Sequence, residues 1–151
     1  MALYYLETSA LVKLYVRESG TNRMLAIVDR SRAERLVILS FSQVELRSAV
    51  RRREKLGEMT AEVAANLLEA FSRHTESRFI TQLVTDSTLD TACALVDRHE
   101  LRAYDAMQLA GYITLKSGAG NELPVFVCAD RALLIAASQE GFPTLNPTLI
   151  S

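Results

Sequence analysis

Short apolar segments alternate along the chain with longer segments in which apolar residues recur at helical spacing. The apolar segments are rich in Val, Ile, Phe and Tyr and predict strands. They lie at residues 2–7, 36–40, 79–84, 124–128 and 143–146. The intervening segments predict helices at 9–17, 21–31, 42–56, 60–75, 87–100, 103–117 and 131–140. Such alternation is typical of an α/β fold with a mainly parallel sheet.

The chain has 151 residues, which is a common length for a protein with one hydrophobic core. Hydrophobic residues make up 49% and charged residues 23%, and this composition favours an ordered globular protein over a disordered one. No repeat, low-complexity segment or linker divides the sequence. We therefore expect a single domain over residues 1–151.

The lengths of the apolar segments, the cysteines and the net charge exclude several classes of protein. No apolar segment approaches 18 residues and no basic region precedes the first one, so we expect neither a membrane span nor a secretory signal. Cys93 and Cys128 lie in apolar segments without metal-ligand spacing, which predicts buried, reduced thiols in a cytoplasmic protein. The net charge of −1 argues against general coating of nucleic acid, although a local basic patch would still attract it.

Four acidic residues occupy positions where the predicted chain changes direction, namely Glu7, Glu45, Asp105 and Asp130. Glu7 and Asp130 end apolar segments, whereas Glu45 and Asp105 lie at the start of predicted helices. In an open parallel sheet, the carboxyl ends of the strands surround the crevice where ligands bind. Carboxylates that meet there repel one another unless a cation or shared protons offset the repulsion. Mg²⁺ prefers such hard oxygen ligands.

Each acid also has a structural interpretation. The segment 42–45 fits a capping box in which Glu45 reaches back to the backbone of Ser42. Asp130 and Glu7 fit helix N-caps, and Asp105 complements the positive end of a helix dipole. The four positions taken together favour a metal site more strongly than any one of them does.

The acids lie in segments that resemble the motifs of the PIN-domain nucleases, especially the VapC-like toxins of type II toxin–antitoxin systems. The first motif is similar to YLETSALVKL at 5–14, and the second to SQVEL at 42–46. The third is similar to LRAYDAMQLA at 101–110, and the fourth to FVCADRALL at 126–134 followed by Gly141 and Phe142. These motifs span nearly the whole chain in the order of the family.

The resemblance implies a three-layer α/β/α sandwich on a short, mainly parallel sheet of four to five strands. It implies that Glu7, Glu45, Asp105 and Asp130 bind Mg²⁺ or Mn²⁺ and that the enzyme hydrolyses RNA. Thr8 and Ser9 would position water or orient a carboxylate, with helix capping as the alternative. The partners implied are an RNA substrate and an antitoxin protein.

The first acid departs from the family pattern, which usually has Asp where this chain has Glu7. Both side chains carry one carboxylate, but Glu is longer by one methylene. Because Mg²⁺ demands near-ideal octahedral geometry, we expect the longer side chain to weaken the site or to rebuild it around water.

Two further features suggest binding surfaces. Arg47 and Arg51 share a helical face near Glu45 and suggest a phosphate-attracting rim, with favourable contact to the helix dipole as the alternative for the basic segment 51–55. A set of apolar residues at helical spacing predicts a homodimer and a separate groove for an antitoxin segment, with core packing as the alternative. This set comprises Val63, Leu67, Leu68 and Phe71 with Leu11, Leu14 and Tyr15.

Three functions compete at this point. The leading one is a metal-dependent ribonuclease, the second is a catalytically weakened PIN domain that acts as a binding module, and the third is a phosphotransfer enzyme. A haloacid-dehalogenase-type phosphatase needs a nucleophilic Asp and a second Asp two residues later, and this chain has Glu7 and Ser9 there. The third function therefore fits the sequence poorly.

Overall fold

The computed structural model describes residues 1–149, so the last two residues of the predicted domain lie outside it. The strands are β1 (Tyr4–Leu6), β2 (Leu36–Leu39), β3 (Ile80–Gln82), β4 (Val125–Val127) and β5 (Thr144–Leu145). The α-helices are α1 (Thr8–Leu11), α2 (Thr21–Arg30), α3 (Ser42–Lys55), α4 (Ala61–Ser77), α5 (Asp86–Arg98), α6 (Ala103–Gly118) and α7 (Arg131–Gln139). Short 3-10 helices cover Val12–Leu14 and Ala33–Arg35.

The strands form one sheet in the order β3-β2-β1-β4-β5, and all neighbouring pairs are parallel. From β1 the chain builds the sheet outward through β2 and β3, and it then returns to add β4 and β5 on the other side. The strand order therefore reverses between β1 and β4. In open α/β sheets, ligands bind at the carboxyl ends of the strands beside such a reversal.

Helices cover both faces of the sheet, which confirms the predicted three-layer α/β/α architecture. Successive strand residues point to opposite faces, so Tyr5 packs under α5, α6 and α7, whereas Leu6 packs under α1, α2, α3 and α4. On the first face, the Tyr5 ring stacks on Phe126 with a centroid separation of 5.7 Å. The Tyr112 ring meets the Tyr5 ring edge-on at 6.1 Å. This rigid aromatic core lies directly beneath the carboxyl edge of β1.

The first predicted helix, 9–17, is shorter in the structure, and its prediction was wrong at the C-terminal end. Four residues form α1, and the chain then tightens into the 3-10 helix Val12–Leu14. The buried Lys13 ammonium reaches forward to the Glu18 carboxylate at 2.9 Å. Gly20, at φ 95°, then turns the chain into α2. This ion pair and turn replace the last helical turns that periodicity suggested.

The structure buries part of the predicted apolar partner surface. Leu11, Leu68 and Phe71 are buried inside this chain, because α1 and α4 pack with α3 and β2 on one face of the sheet, and the half-buried Leu14 and Tyr15 pack against the same core. Val63, by contrast, keeps 45% of its surface exposed. Core packing therefore accounts for most of that set.

Two further findings concern the sequence predictions on compartment. Cys128 is buried as expected, but Cys93 is exposed on α5, because it lies on the outer face of that helix. Among the helices of residues 1–149, none combines the length and apolar character required to cross a bilayer.

Candidate active site

A cleft of about 620 Å³ opens at the carboxyl edge of the sheet, beside the reversal between β1 and β4. Its walls come from the start of α1, the 3-10 helix that follows it, most of α3, the start of α6 and the loop between β4 and α7. All six residues predicted for the site line it, namely Glu7, Thr8, Ser9, Glu45, Asp105 and Asp130. Parallel strand topology thus brings together residues that are far apart in sequence.

Glu7 directly follows β1 and is almost completely buried. Its Oε2 accepts hydrogen bonds from the backbone N–H of Ser9, at 2.9 Å, and from the Ser9 hydroxyl. Burial raises the pKa of Glu7 to about 7, although the bonds from Ser9 oppose that shift. The Ser9 hydroxyl also accepts a bond from the backbone N–H of Ala129 at 2.9 Å. Ser9 therefore links the end of β1 to the loop after β4, and Glu7 caps α1 as the alternative interpretation proposed.

Glu45 does not form the capping box that the sequence suggested. Helix α3 begins after Phe41 without a side-chain cap, and Glu45 turns away from the helix start. Its Oε1 accepts hydrogen bonds from the Thr8 hydroxyl at 2.9 Å and from Gln108 Nε2 at 2.6 Å. Burial raises the pKa of Glu45, and these two bonds counteract the rise. The capping prediction failed because tertiary donors from α1 and α6 compete for the same carboxylate.

Gln108 is a site residue to which sequence analysis assigned no role. It is completely buried in α6, one helical turn after Asp105. Its Nε2 lies 3.0 Å from the Ser42 hydroxyl and 3.2 Å from the Thr8 hydroxyl, in addition to Glu45. Its Oε1 accepts a bond from the Tyr5 hydroxyl at 2.9 Å. The sequence did contain one indication of this role. Gln108 is a polar residue three positions after Asp105, in a helix whose remaining buried residues are mainly apolar.

Asp105 and Asp130 approach the cleft from the opposite side. Asp130 caps α7, since its Oδ1 accepts a bond from the backbone N–H of Leu133 at 3.0 Å. Asp105 lies in the first turn of α6 and is buried. Burial, with repulsion from Asp130 and Glu45, raises the pKa of Asp105 to about 6. The acids are therefore close enough to destabilise one another's charges.

The basic residues on the cleft are not those that were predicted. Arg52 and Arg53 line it, together with Lys13, whereas Arg47 and Arg51 do not. At 3.6 residues per turn, residue 52 lies nearly in line with Glu45 along α3, and residue 47 lies on another face. The Arg51 guanidinium instead pairs with Glu54 at 2.7 Å. Glu18 bridges two of the cleft cations, at 2.9 Å from Lys13 Nζ and 3.0 Å from Arg53 Nη2.

Comparison with known families agrees with this arrangement. The family profile described as PIN domain matches residues 4–117. The chain belongs to the PIN-domain family. Three of the four acids fall within the match, and Asp130 follows it in the loop between β4 and α7.

Solved structures share this PIN-domain fold. PAE2754 from Pyrobaculum aerophilum has a TM-score of 0.65 and 22% identity over 95% of this chain and 83% of that one. A toxin–antitoxin complex from Klebsiella pneumoniae has a TM-score of 0.64 and 14% identity over 97% and 99% of the two chains. DNA-bound VapBC from Salmonella typhimurium has a TM-score of 0.64 and 11% identity over the same shares. No curated protein sequence matches the chain significantly.

The donor chemistry of the PIN-domain cleft fits a divalent cation. Four carboxylates line one cavity. Burial, and then repulsion from Asp130 and Glu45, raise the pKa of Asp105, so a bound cation would stabilise its ionised form. Within residues 1–149, no three His, Cys, Asp or Glu side chains are already arranged to hold a metal ion. Glu7 is turned towards Ser9, and the side chains would therefore have to move to coordinate together.

Proposed function

We propose that this PIN domain is a divalent-metal-dependent endoribonuclease and the toxin of a toxin–antitoxin pair. The observation that carries the proposal is the convergence of four carboxylates from four separate chain segments on one cleft that also has basic residues. PIN-domain proteins are typically nucleases, and phosphodiester hydrolysis is the reaction that this combination of charges suits.

Glu45, Asp105 and Asp130 would hold Mg²⁺ or Mn²⁺, with Glu7 as the fourth acid. The bound cation would lower the pKa of a water molecule and neutralise charge on the phosphoryl oxygens. The protein residues orient the acids. Thr8 and Gln108 fix Oε1 of Glu45, and Ser9 fixes Oε2 of Glu7 against the loop before Asp130.

The remaining cleft residues suit a flexible, negatively charged polymer. Arg52 is exposed and lies on the same face of α3 as Glu45. A cation at that position attracts phosphate groups. Tyr104 lies next to Asp105 on the opposite wall and keeps 41% of its surface exposed. An exposed aromatic ring can stack on an unpaired base. Single-stranded RNA is therefore the substrate class that we propose.

We further propose that the protein acts in the cytoplasm, as a homodimer that binds an antitoxin. The solved structures with this fold include a toxin–antitoxin complex. The α4 set gives little support, since the chain buries most of it. Exposed apolar residues on α5 supply a different surface, with Leu89 at 47% and Val96 at 44% exposure on one helical face. Light scattering at tens of micromolar should give twice the monomer mass, and a strict monomer would contradict the dimer.

A cleavage assay tests the enzymatic proposal. Single-stranded RNA should be cut by the purified chain with Mg²⁺ or Mn²⁺, and a chelator should stop the reaction. Asp130→Asn should abolish cleavage without unfolding the protein, because Asn remains a good N-cap for α7. Asp86→Asn is the matched control, since Asp86 begins α5 away from the cleft. Equal activity of both variants and the parent would contradict the proposal.

A second candidate function is a weakened PIN domain that binds RNA or protein without efficient cleavage. The orientation of Glu7 favours it, because its Oε2 is occupied by Ser9 and burial raises its pKa to about 7. RNA binding without metal-dependent cleavage, measured with the same RNA, would support this alternative over the enzyme.

A further inference from the structure

Gln108 is a completely buried polar side chain beside the cleft. Burying an amide is unfavourable unless its polar atoms find hydrogen-bond partners. All polar atoms of this amide have partners, but they come from three different elements, through Tyr5 in β1, Thr8 in α1 and Ser42 and Glu45 in α3. The side chain thus connects α6 to both segments that supply the acids on one side of the cleft.

The orientation of this amide follows from its partners. An ionised carboxylate only accepts hydrogen bonds, so Nε2 of Gln108 must face Oε1 of Glu45. Oε1 of Gln108 then points the other way, where the Tyr5 hydroxyl donates to it at 2.9 Å. A flipped amide would place one oxygen against another at Glu45. In the observed orientation, which the Glu45 carboxylate selects, the Tyr5 hydroxyl supplies the donor for Oε1 of Gln108 and so holds the amide in place.

Gly111 makes the approach of Tyr5 possible. It lies in the interior of α6, where Gly is less favourable than Ala. A β-carbon at this position would overlap the Tyr5 hydroxyl and would lie 3.1 Å from Cδ1 of Leu39. The helix therefore lacks a side chain at the place where the hydroxyl passes towards Gln108.

We propose that Gln108, held in place by Tyr5, is a positioning residue that keeps Glu45 ready for a divalent cation. Gln108 and Thr8 both bind Oε1 of Glu45, and among the described residues no donor contacts Oε2. That oxygen is left for the ion. The inference rests on the metal-dependent function proposed above, and it adds a residue that does not itself touch metal or RNA.

This role can be tested by titrating the metal-free protein with Mn²⁺ and measuring the binding by calorimetry. Gln108→Met keeps the approximate volume but cannot donate, and it should weaken Mn²⁺ binding about 10–100-fold, the usual cost of losing a residue that orients a ligand. Tyr5→Phe leaves Oε1 of Gln108 without its donor, which holds the amide less firmly, and should weaken binding by a smaller factor. The double variant should bind no more weakly than Gln108→Met, because Tyr5 acts through Gln108.

Tyr112→Phe is the matched control for Tyr5→Phe. It also removes one hydroxyl from the same aromatic core, but that hydroxyl donates to the Pro124 carbonyl at 2.7 Å, away from the cleft. Its Mn²⁺ affinity should equal that of the parent, while its thermal stability falls about as much as that of Tyr5→Phe. A purely structural role of Tyr5 would instead give both variants the same Mn²⁺ affinity.

The outcomes separate the two proposals. Mn²⁺ binding by the parent with unchanged affinity in Gln108→Met would overturn the positioning role and leave the nuclease proposal intact. Absence of Mn²⁺ binding in the parent would overturn both. If Gln108→Met does not fold, Tyr5→Phe decides, since weaker binding supports the role and unchanged binding overturns it.

Discussion

The acids in the cleft and two acids elsewhere on the molecule have pKa values that are shifted in opposite directions by their surroundings. Glu122 pairs with Arg35, and Glu140 pairs with Arg98 and His99, so the pKa of each carboxyl is lowered. In the cleft, burial and neighbouring carboxylates raise the pKa of Asp105 to about 6 and burial raises that of Glu7 to about 7. The protein thus pairs these two peripheral acids with its own cations, whereas in the cleft the charge of Arg102 offsets only part of the rise in the pKa of Asp105.

This difference indicates which acids are structural. A group whose pKa is raised by burial and like charges destabilises the fold when it ionises, and such groups concentrate at functional sites. Lys13 and Arg53 line the cleft but both pair with Glu18, and the charge of Arg102 offsets only part of the rise in the pKa of Asp105. A divalent cation would supply the missing positive charge.

The largest expected effect comes from removing one cleft charge. Asp105→Asn should lower metal-dependent RNA cleavage more than about 100-fold, and it should leave the thermal unfolding temperature unchanged or slightly higher because a repulsive charge is lost. Glu122→Gln should leave cleavage unchanged. If Asp105→Asn unfolds the protein while its folded fraction retains full activity, the structural interpretation of Asp105 is correct.

The next effect concerns Glu7. Glu7→Asp shortens the side chain at a position where Asp is a better helix cap, and it restores the usual residue of the family. We expect tighter Mn²⁺ binding and faster RNA cleavage, since misplacing a catalytic group by about 1 Å can cost on the order of 10²-fold. A loss on both measurements would show that Glu7 is itself the adapted ligand.

The pH dependence of stability should also distinguish the two sets of acids. The folded protein holds protons on Glu7 and Asp105 more tightly than the unfolded chain does, so their contribution favours folding at low pH. That contribution is lost as the pH rises from about 4 through about 7, and denaturant unfolding of the metal-free protein should show the decline. Mg²⁺ should reduce it, and Glu7→Gln should flatten part of it. A stability that rises over this whole range would contradict the pKa directions.

The smallest effect on stability and Mn²⁺ affinity should come from removing a peripheral acid outside the cleft. Glu140→Gln removes a partly exposed ion pair, and such pairs contribute about 0–1 kcal/mol. The free energy of unfolding should therefore fall only slightly, and Mn²⁺ affinity should not change. A marked loss of Mn²⁺ affinity would mean that peripheral charges control the cleft after all.

Periodicity was sufficient to predict the order and type of the elements. All five predicted strands and all seven predicted helices occur in the described residues in the predicted order, although the first helix ends sooner than its periodicity indicated. We could predict that the acids lie close together only because parallel strands end at the same edge of the sheet. The convergence of Glu7 with Asp130 follows from that topology rather than from either motif alone.

The errors arose where tertiary contacts override local rules. Glu45 had a suitable local partner in Ser42, but the buried Gln108 and Thr8 are better donors to a carboxylate inside the fold. The apolar set on α4 could not be assigned to core or surface without knowing that α3 covers it. The basic rim was placed on the wrong face because the direction of Glu45 on α3 was unknown.

The central claim is that the cleft acids form one divalent-metal site. The most direct test is to titrate the parent protein and Asp105→Asn with Mn²⁺. Electron paramagnetic resonance measures the concentration of free Mn²⁺ at each step. The account predicts saturable binding by the parent and its loss in Asp105→Asn, with both proteins equally folded. Equal binding by the two proteins, or no saturable binding by the parent, would contradict it.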